Sequence, residues 1–240
     1  MRYLTHNTAL LTQDFIMSTE WDIIELDLEI DPVQLDEYYT VLKTKLNHLC
    51  FNFASEKYLR PEVYKDFIEN GKMGNYHGNP DAWTVSWPVE RDIPCPSKLQ
   101  ANPEIYPEIA NLNHDEFLEA ARPQDVYKFG ILVKLLDRLT ERAFRQILIV
   151  RHSPGLEIAT HVDSKYKKLH IPLYTNETAE FIFGANKERR YQMQVGKIYI
   201  INPSVPHSTE NFSDKERVHL LSRIDFDYIS EVAKMSGTIA

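Results

Sequence analysis

The stretch "ATHVDSKYKKLHIPL" spans Ala159–Leu173 and decides how the chain is read. It sets a histidine and an aspartate two residues apart, His161 and Asp163, ahead of an apolar run that carries a second histidine, His170. In an extended segment residues i and i+2 point to one side, so this imidazole and this carboxylate can reach a single ion. Alone the pattern is weak in a chain with nine histidines. Its weight depends on what surrounds it.

Short apolar or β-branched runs flank it on both sides: "RQILIVRH" (145–152), "KLHIPLYT" (168–175), "AEFIFG" (179–184), "RRYQMQ" (189–194), "KIYIIN" (197–202) and "RVHLLSRID" (217–225). Gly, Pro, Asn and Asp turn signals separate them, which predicts an antiparallel sandwich or barrel. Residues 1–143 read differently, as mostly helix and loop. "DPVQLDEYYTVLKTKLNHL" (31–49) has Asp31 as N-cap, Pro32 at the first helical position and an apolar stripe of Leu35, Tyr38, Leu42, Leu46 and Leu49. A second helix is expected over 123–144, with Val126, Val133, Leu136 and Leu139 facing the core. Between them a Pro-, Asn- and aromatic-rich stretch, 71–110, holds Trp83 and Trp87; the alternative to a functional loop is that these aromatics only pack it down. The fold class expected is α+β with a mainly β core: a jelly-roll over 144–240, with 1–143 as helical support and substrate lid, in one integrated domain.

Composition narrows the function. A net charge of −8 argues against a broad grip on phosphate backbones. The two cysteines, Cys50 and Cys95, have no CxxC spacing and are too few for a disulfide framework. The longest apolar runs, "ILIV" (147–150) and "IYII" (198–201), are too short to span a bilayer, and "MRYLTHNTALLTQDF" lacks a secretory pattern. A soluble, cytoplasmic protein without membrane or nucleic-acid partners is expected.

A third ligand is available in "NPSVPHSTENF" (202–212), where His207 follows a strand and a Pro-flanked turn. Two histidines and one carboxylate on one side of a metal leave positions open, the arrangement of non-haem Fe(II) oxygenases, which bind a co-substrate and O2 there. Ten residues on stands Arg217. If 217–224 is a strand, Arg217, His219, Leu221 and Arg223 share one face, and Val218, Leu220, Ser222 and Ile224 the other. An arginine turned into an apolar barrel calls for a carboxylate, and a dicarboxylate such as 2-oxoglutarate supplies one for bidentate pairing. The alternative is an exposed turn at 161–163, a loop-capping His207, and Arg217 paired with Glu216 or Asp214 on the surface.

Taken together, "VRHSPGLEIATHVD…KLHIPLYTN…FIFG…VGKIYIINPSVPHSTENFSDKERVHLLSRID" resembles the aspartyl/asparaginyl β-hydroxylase family of 2-oxoglutarate- and Fe(II)-dependent oxygenases, over about residues 145–227. The resemblance implies a double-stranded β-helix of cupin-like type, with His161, Asp163 and His207 as iron ligands and Arg217 as the 2-oxoglutarate anchor. It also places His170, with Lys168 two residues earlier, where members hold the co-substrate. Two departures matter. Protein-modifying members known from animals lack the carboxylate ligand, so the retained Asp163 is similar to the bacterial branch that includes hydroxylases of free amino acids. It also argues for hydroxylation over halogenation. A small hydroxyl residue that contacts the co-substrate in some members falls at Val150.

The remaining polar residues divide. His219 is expected either to line the substrate cavity or to be a hydrogen-bonded core histidine, and Trp87 is assigned to the substrate pocket. His152 shares the parity of Val150, with a surface role as the alternative. Arg223 is expected in a salt bridge, and "KYKK" (165–168) as a solvated turn that could draw an acidic substrate to the mouth. The function expected is hydroxylation of an unactivated C–H in a free amino acid or small derivative, with Fe(II), 2-oxoglutarate and O2, releasing succinate and CO2. Rivals are an Asp, Asn or other side chain in a peptide or protein, a non-enzymatic metal-binding cupin-like protein, and a nucleic-acid oxygenase.

Overall fold

The computed structural model describes residues 3–5, 12–53, 61, 62, 65, 69, 81–84, 86, 87, 102–163 and 166–240; residues 5, 46–53, 81–84, 86, 87, 110, 114, 118 and 126 are described by backbone only. The N-terminal elements are β1 (Tyr3–Thr5), α1 (Gln13–Met17), β2 (Ile23–Ile30), α2 (Pro32–Phe53), β3 (Asp81–Thr84), β4 (Ser86–Trp87), α3 (Pro107–Ala110), α4 (His114–Ala120), β5 (Arg122–Pro123) and α5 (Ile131–Leu139). Then come β6 (Ile147–His152), β7 (Glu157–His161), β8 (Lys168–Tyr174), β9 (Ala179–Phe183), β10 (Arg189–Gln192), β11 (Lys197–Ile201), β12 (His207–Asn211), β13 (Arg217–Arg223), α6 (Ile229–Val232) and β14 (Ser236–Ile239).

From β6 to β13 the chain alternates between two sheets, apart from the β9-β10 hairpin within the smaller one. The larger has the order β1-β2-β11-β8-β13-β6-β3, with β14 also paired to β2; the smaller has the order β10-β9-β12-β7. The pairs β11-β8, β8-β13 and β13-β6 are antiparallel, as are all three of the smaller sheet. Eight strands wound this way into two facing four-stranded sheets make the double-stranded β-helix.

The larger sheet is buried on both faces, which explains its long apolar runs. Its outer side chains, among them Ile149, Leu169, Ile171, Ile198, Ile200, Val218 and Leu220, join Leu35 and Leu42 of α2 and Leu132 and Leu135 of α5 in the main core. Its inner face meets the smaller sheet around Phe181, Phe183, Met193, Tyr199, Ile201 and Val205. The alternation on β13 therefore sends Val218 and Leu220 out to the helices and leaves Arg217, His219 and Leu221 facing in, where they line a cavity.

Two expectations need correction. Residues 1–143 are not only helix and loop: β2 lies beside β11, and β1 and β3 end the same sheet. The signal was a period of two in "IIELDLEI", whose Ile24, Leu26, Leu28 and Ile30 are buried while Asp27 and Glu29 are exposed. The helix expected over 123–144 is broken into α5, 131–139, and two 3-10 turns, Asp125–Tyr127 and Glu141–Ala143. Gly130 takes φ +53° at the start of α5 and Thr140 φ +57° at its end, neither of which continues a right-handed helix. Its buried residues are Ile131, Leu132, Leu135 and Leu139; of those expected, Leu139 is buried, Leu136 is half-buried and Val133 is exposed. The side chain of Val126 lies outside the described residues. The helix from Pro32 agrees with its reading: Asp31 Oδ1 accepts from the Val33 N–H at 2.9 Å, and Leu35, Tyr38 and Leu42 are buried. The side chains of Leu46 and Leu49, like most of 71–101, lie outside the described residues. Trp83 and Trp87 sit by backbone in β3 and β4, paired to β6 and β5.

Candidate metal centre

His161, Asp163 and His207 come together where β7 ends and β12 begins, with one ligand atom from each within 4.8 Å of the others. His161 Nε2 is 3.8 Å from Asp163 Oδ1, and His207 Nε2 is 3.9 Å from Asp163 Oδ2. Both imidazoles are oriented in the same way. His161 Nδ1 lies 2.8 Å from the Ala159 carbonyl and His207 Nδ1 lies 2.9 Å from that of Val205. A carbonyl only accepts, so each Nδ1 carries the proton and each Nε2 keeps its lone pair for the shared space. Burial pushes His207 down to about 4, which keeps it a neutral donor at pH 7.

Local irregularities make this convergence. Opposite β12, the register runs Glu157 to Glu210, Ile158 to Thr209, then His161 to His207, so β7 carries one extra residue. Ile158 and His161 both line the cavity although they are three apart, which regular alternation forbids. The β-bulge at Ala159–Thr160 thus turns His161 inward, and its Ala159 carbonyl holds the ring. Asp163 is fixed by its N–H, which donates to the Pro203 carbonyl at 3.0 Å, and by Lys168 Nζ, which donates to Oδ2. Burial raises the Asp163 carboxyl, but Lys168, with His207 and His161, outweighs it and holds the group below its ordinary range.

The same cavity, of about 90 Å³, runs on to a second cluster. Arg217 is 5% exposed and is held among histidines. Its Nη1 lies 3.2 Å from His152 Nδ1, and its Nε and Nη2 each lie 3.1 Å from a ring nitrogen of His219. Thr209 Oγ1 is 3.4 Å from His152 Nδ1, and the guanidinium lies over the Phe181 ring at 5.6 Å. No carboxylate pairs with Arg217 among the described residues. Burial pulls it down to about 9, and burial together with Arg217 pulls His152 down to about 3 and His170 and His219 well below the usual imidazole range. The cluster is one cation among three neutral rings. His170 Nδ1 is buried without a hydrogen-bond partner.

The surface alternative for Arg217 fails on position, since Glu216 engages the Tyr39 hydroxyl, Lys43 and Arg151 instead. His219 is both buried and cavity-lining. His152, left open by parity, faces inward. Arg223 pairs with Glu119 at 2.6 Å and stacks on the Tyr166 ring at 3.6 Å. "KYKK" is not a uniform solvated turn: Lys167 is buried and Lys168 holds Asp163, while Lys165 lies outside the described residues. Sequence reasoning missed Thr209 and Phe181. Thr209 shares the parity of His207, and that signal would have found it. The side chain of Trp87 lies outside the described residues.

No helix among the described residues is long and apolar enough to cross a membrane. Against known structures, the chain is similar to an oxidoreductase of the 2OG-Fe(II) oxygenase family from Burkholderia pseudomallei, at 18% identity and TM-score 0.30, covering 37% of this chain and 47% of that one. It is also similar to a cupin domain from Bordetella pertussis, at 24% identity and TM-score 0.28, covering 32% of this chain and 76% of that one. A Cupin 2 conserved barrel domain protein from Salinispora arenicola gives 16% identity and TM-score 0.28, covering 37% of this chain and 69% of that one. The strand order carries the fold assignment without them. No curated protein matches the chain significantly. A family model described as aspartyl/asparaginyl beta-hydroxylase matches residues 112–226, a span that holds His161, Asp163, His170, His207, Arg217 and His219. Over that span, just under half of the chain, the sequence is similar to the aspartyl/asparaginyl β-hydroxylase family.

Proposed function

We propose that this protein is a 2-oxoglutarate- and Fe(II)-dependent dioxygenase that hydroxylates an unactivated C–H bond of a free amino acid or small amino-acid derivative. The observation that carries the reading is a buried guanidinium that no carboxylate among the described residues pairs with, in one cavity with the two candidate ligand imidazoles and a carboxylate. Two Nε2 lone pairs and a carboxylate oxygen suit a divalent iron, and one-sided ligation leaves room for exchangeable ligands. Arg217 suits the far carboxylate of a keto diacid, because an unpaired cation in a dry pocket gains most from a bidentate anion.

Bound iron with 2-oxoglutarate supplies the oxidising chemistry. The chain's own residues supply placement. His161, Asp163 and His207 hold the metal, with the rings pre-set by the Ala159 and Val205 carbonyls. Arg217 sets the depth of the co-substrate, and His152, His170 and His219 surround it without adding charge. Phe181, 6% exposed and stacked near His207, keeps water from the cavity wall. Trp87, the N-terminal helices and the 71–110 segment are assigned to the substrate side and lid.

A second reading, hydroxylation of a side chain within a peptide, is favoured by the open rim: the His161 side chain is 40% exposed and Val162 is 57% exposed. The test is an anaerobic titration with Fe(II) and then 2-oxoglutarate, watching for the weak visible charge-transfer band of a chelated keto acid. A band that vanishes in His207→Ala supports the reading, and succinate release with candidate amino acids or peptides then separates the substrates. Metal binding without a band would overturn it in favour of a cupin-like binding protein.

A further inference from the structure

The turn between β11 and β12, residues 202–206, serves two of the three candidate ligands. Its Pro203 carbonyl accepts the Asp163 N–H at 3.0 Å, and its Val205 carbonyl orients the His207 ring at 2.9 Å. A shift of this turn therefore moves both donors at once. What fixes the turn is a knot of buried polar groups on its outer side. Asn202, with no exposed surface, donates through Nδ2 to the carbonyls of Ser18 at 2.9 Å and Trp21 at 3.0 Å, and its N–H donates to the Asp22 carbonyl at 2.9 Å. Its Oδ1 accepts from Lys167 Nζ, which also reaches Ser204 Oγ at 3.3 Å and lies over the Trp21 ring at 5.3 Å. Lys167 is 2% exposed and has no carboxylate partner among the described residues. Burying an ammonium among neutral acceptors is costly, and the turn alone does not need it for packing.

We propose that Lys167 and Asn202 are positioning residues of the metal centre, bracing the 202–206 turn against Ser18–Asp22. The N-terminal brace lies outside the span that matches the family model, so the candidate metal centre leans on a segment beyond that span. The inference rests on the metal-binding part of the proposed function and not on its co-substrate or substrate.

The test uses Co2+ alone as the probe, with purified full-length protein and no co-substrate. Lys167→Met keeps the stem against Trp21 and removes the donor. Its Co2+ affinity is expected to fall roughly 10- to 100-fold, the scale on which outer partners act on a metal site. At saturating Co2+ its visible absorption bands should also change shape, which a loss of fold stability alone does not produce. Ser204→Ala, which removes only the longer contact, should show the same change to a smaller degree, and it decides the matter if Lys167→Met does not fold. Lys197→Met, at a half-buried lysine paired with Glu29, should leave affinity and bands unchanged. Wild-type affinity and bands in both Lys167→Met and Ser204→Ala would overturn the inference. Wild-type protein that binds no Co2+ would instead overturn the metal reading on which it rests.

Discussion

The cavity has two unlike ends. At the rim, His161 and Asp163 are part-exposed, and the carboxylate already meets a cation in Lys168. At the depth, Arg217 and its three histidines are buried, and the one charge there has no opposite among the described residues. At the rim an arriving cation competes with the Lys168 ammonium for a carboxylate that is already paired. The deep end is balanced only when an anion arrives. One end is built for exchange and the other for demand.

The comparison can be broken by removing each end separately. His207→Ala should abolish Fe(II) binding and reduce turnover by about 10³-fold or more, because one ligand of three is lost; metal titration with succinate release checks it. Arg217→Met should leave metal binding intact and weaken 2-oxoglutarate by about 2–5 kcal/mol, the cost of losing one partner of a buried charge pair. In the same variant the ligand-free protein should be no less stable than wild type, since an uncompensated buried cation goes with the side chain. Isothermal titration and thermal melting read the two halves of that prediction.

Acid sharpens the contrast. His152, at about 3, and His170 and His219, held lower than usual, are neutral in the fold, and each takes a proton near pH 6.5 once the chain unfolds. The stability tied to them is complete above about pH 6.5 and is lost as pH falls toward 3. The loss is up to about 1.4 kcal/mol per pH unit for each ring. Denaturant melts between pH 7 and pH 4 should show the steep slope, and His152→Gln should lessen it. Gly196→Ala should cost about 1–3 kcal/mol, because φ is +89° there and a Cβ would stand 2.9 Å from the Ile30 carbonyl oxygen. The smallest effect belongs to the rim: Val162→Thr, between two ligands but 57% exposed, should shift stability by less than about 0.5 kcal/mol.

Strands β6, β8, β11 and β13 of the larger sheet were legible because they are buried on both faces and read as apolar runs. β7 and β12 were absent from the apolar runs read as strands, although they carry His161 and His207 and those two histidines were expected on extended segments. Glu157–His161 is exposed at nearly every residue, and "HSTEN" is polar although wholly buried, so hydrophobicity marked neither. The site was legible as a set of residue types and spacings, while its means of assembly was not. The bulge in β7 is a property of pairing with a distant strand. The burial of Lys167 depends on Trp21 and Asn202, far away in sequence, and a basic run such as "KYKK" gives no hint of it. The stripe of α5 was shifted because Gly130 resets the helical phase.

The extra residue in β7 has a consequence for insertions and deletions. A strand counts in twos, and this one brings His161 to the candidate metal site on an odd count. Removing Ala159 alone would restore regular pairing, improve the ladder to β12 and aim His161 at solvent. A lesion that tidies the sheet would erase the metal centre, whereas most substitutions at Ala159 would keep the count and the carbonyl that holds the ring. In this strand, length is held more tightly than side-chain identity.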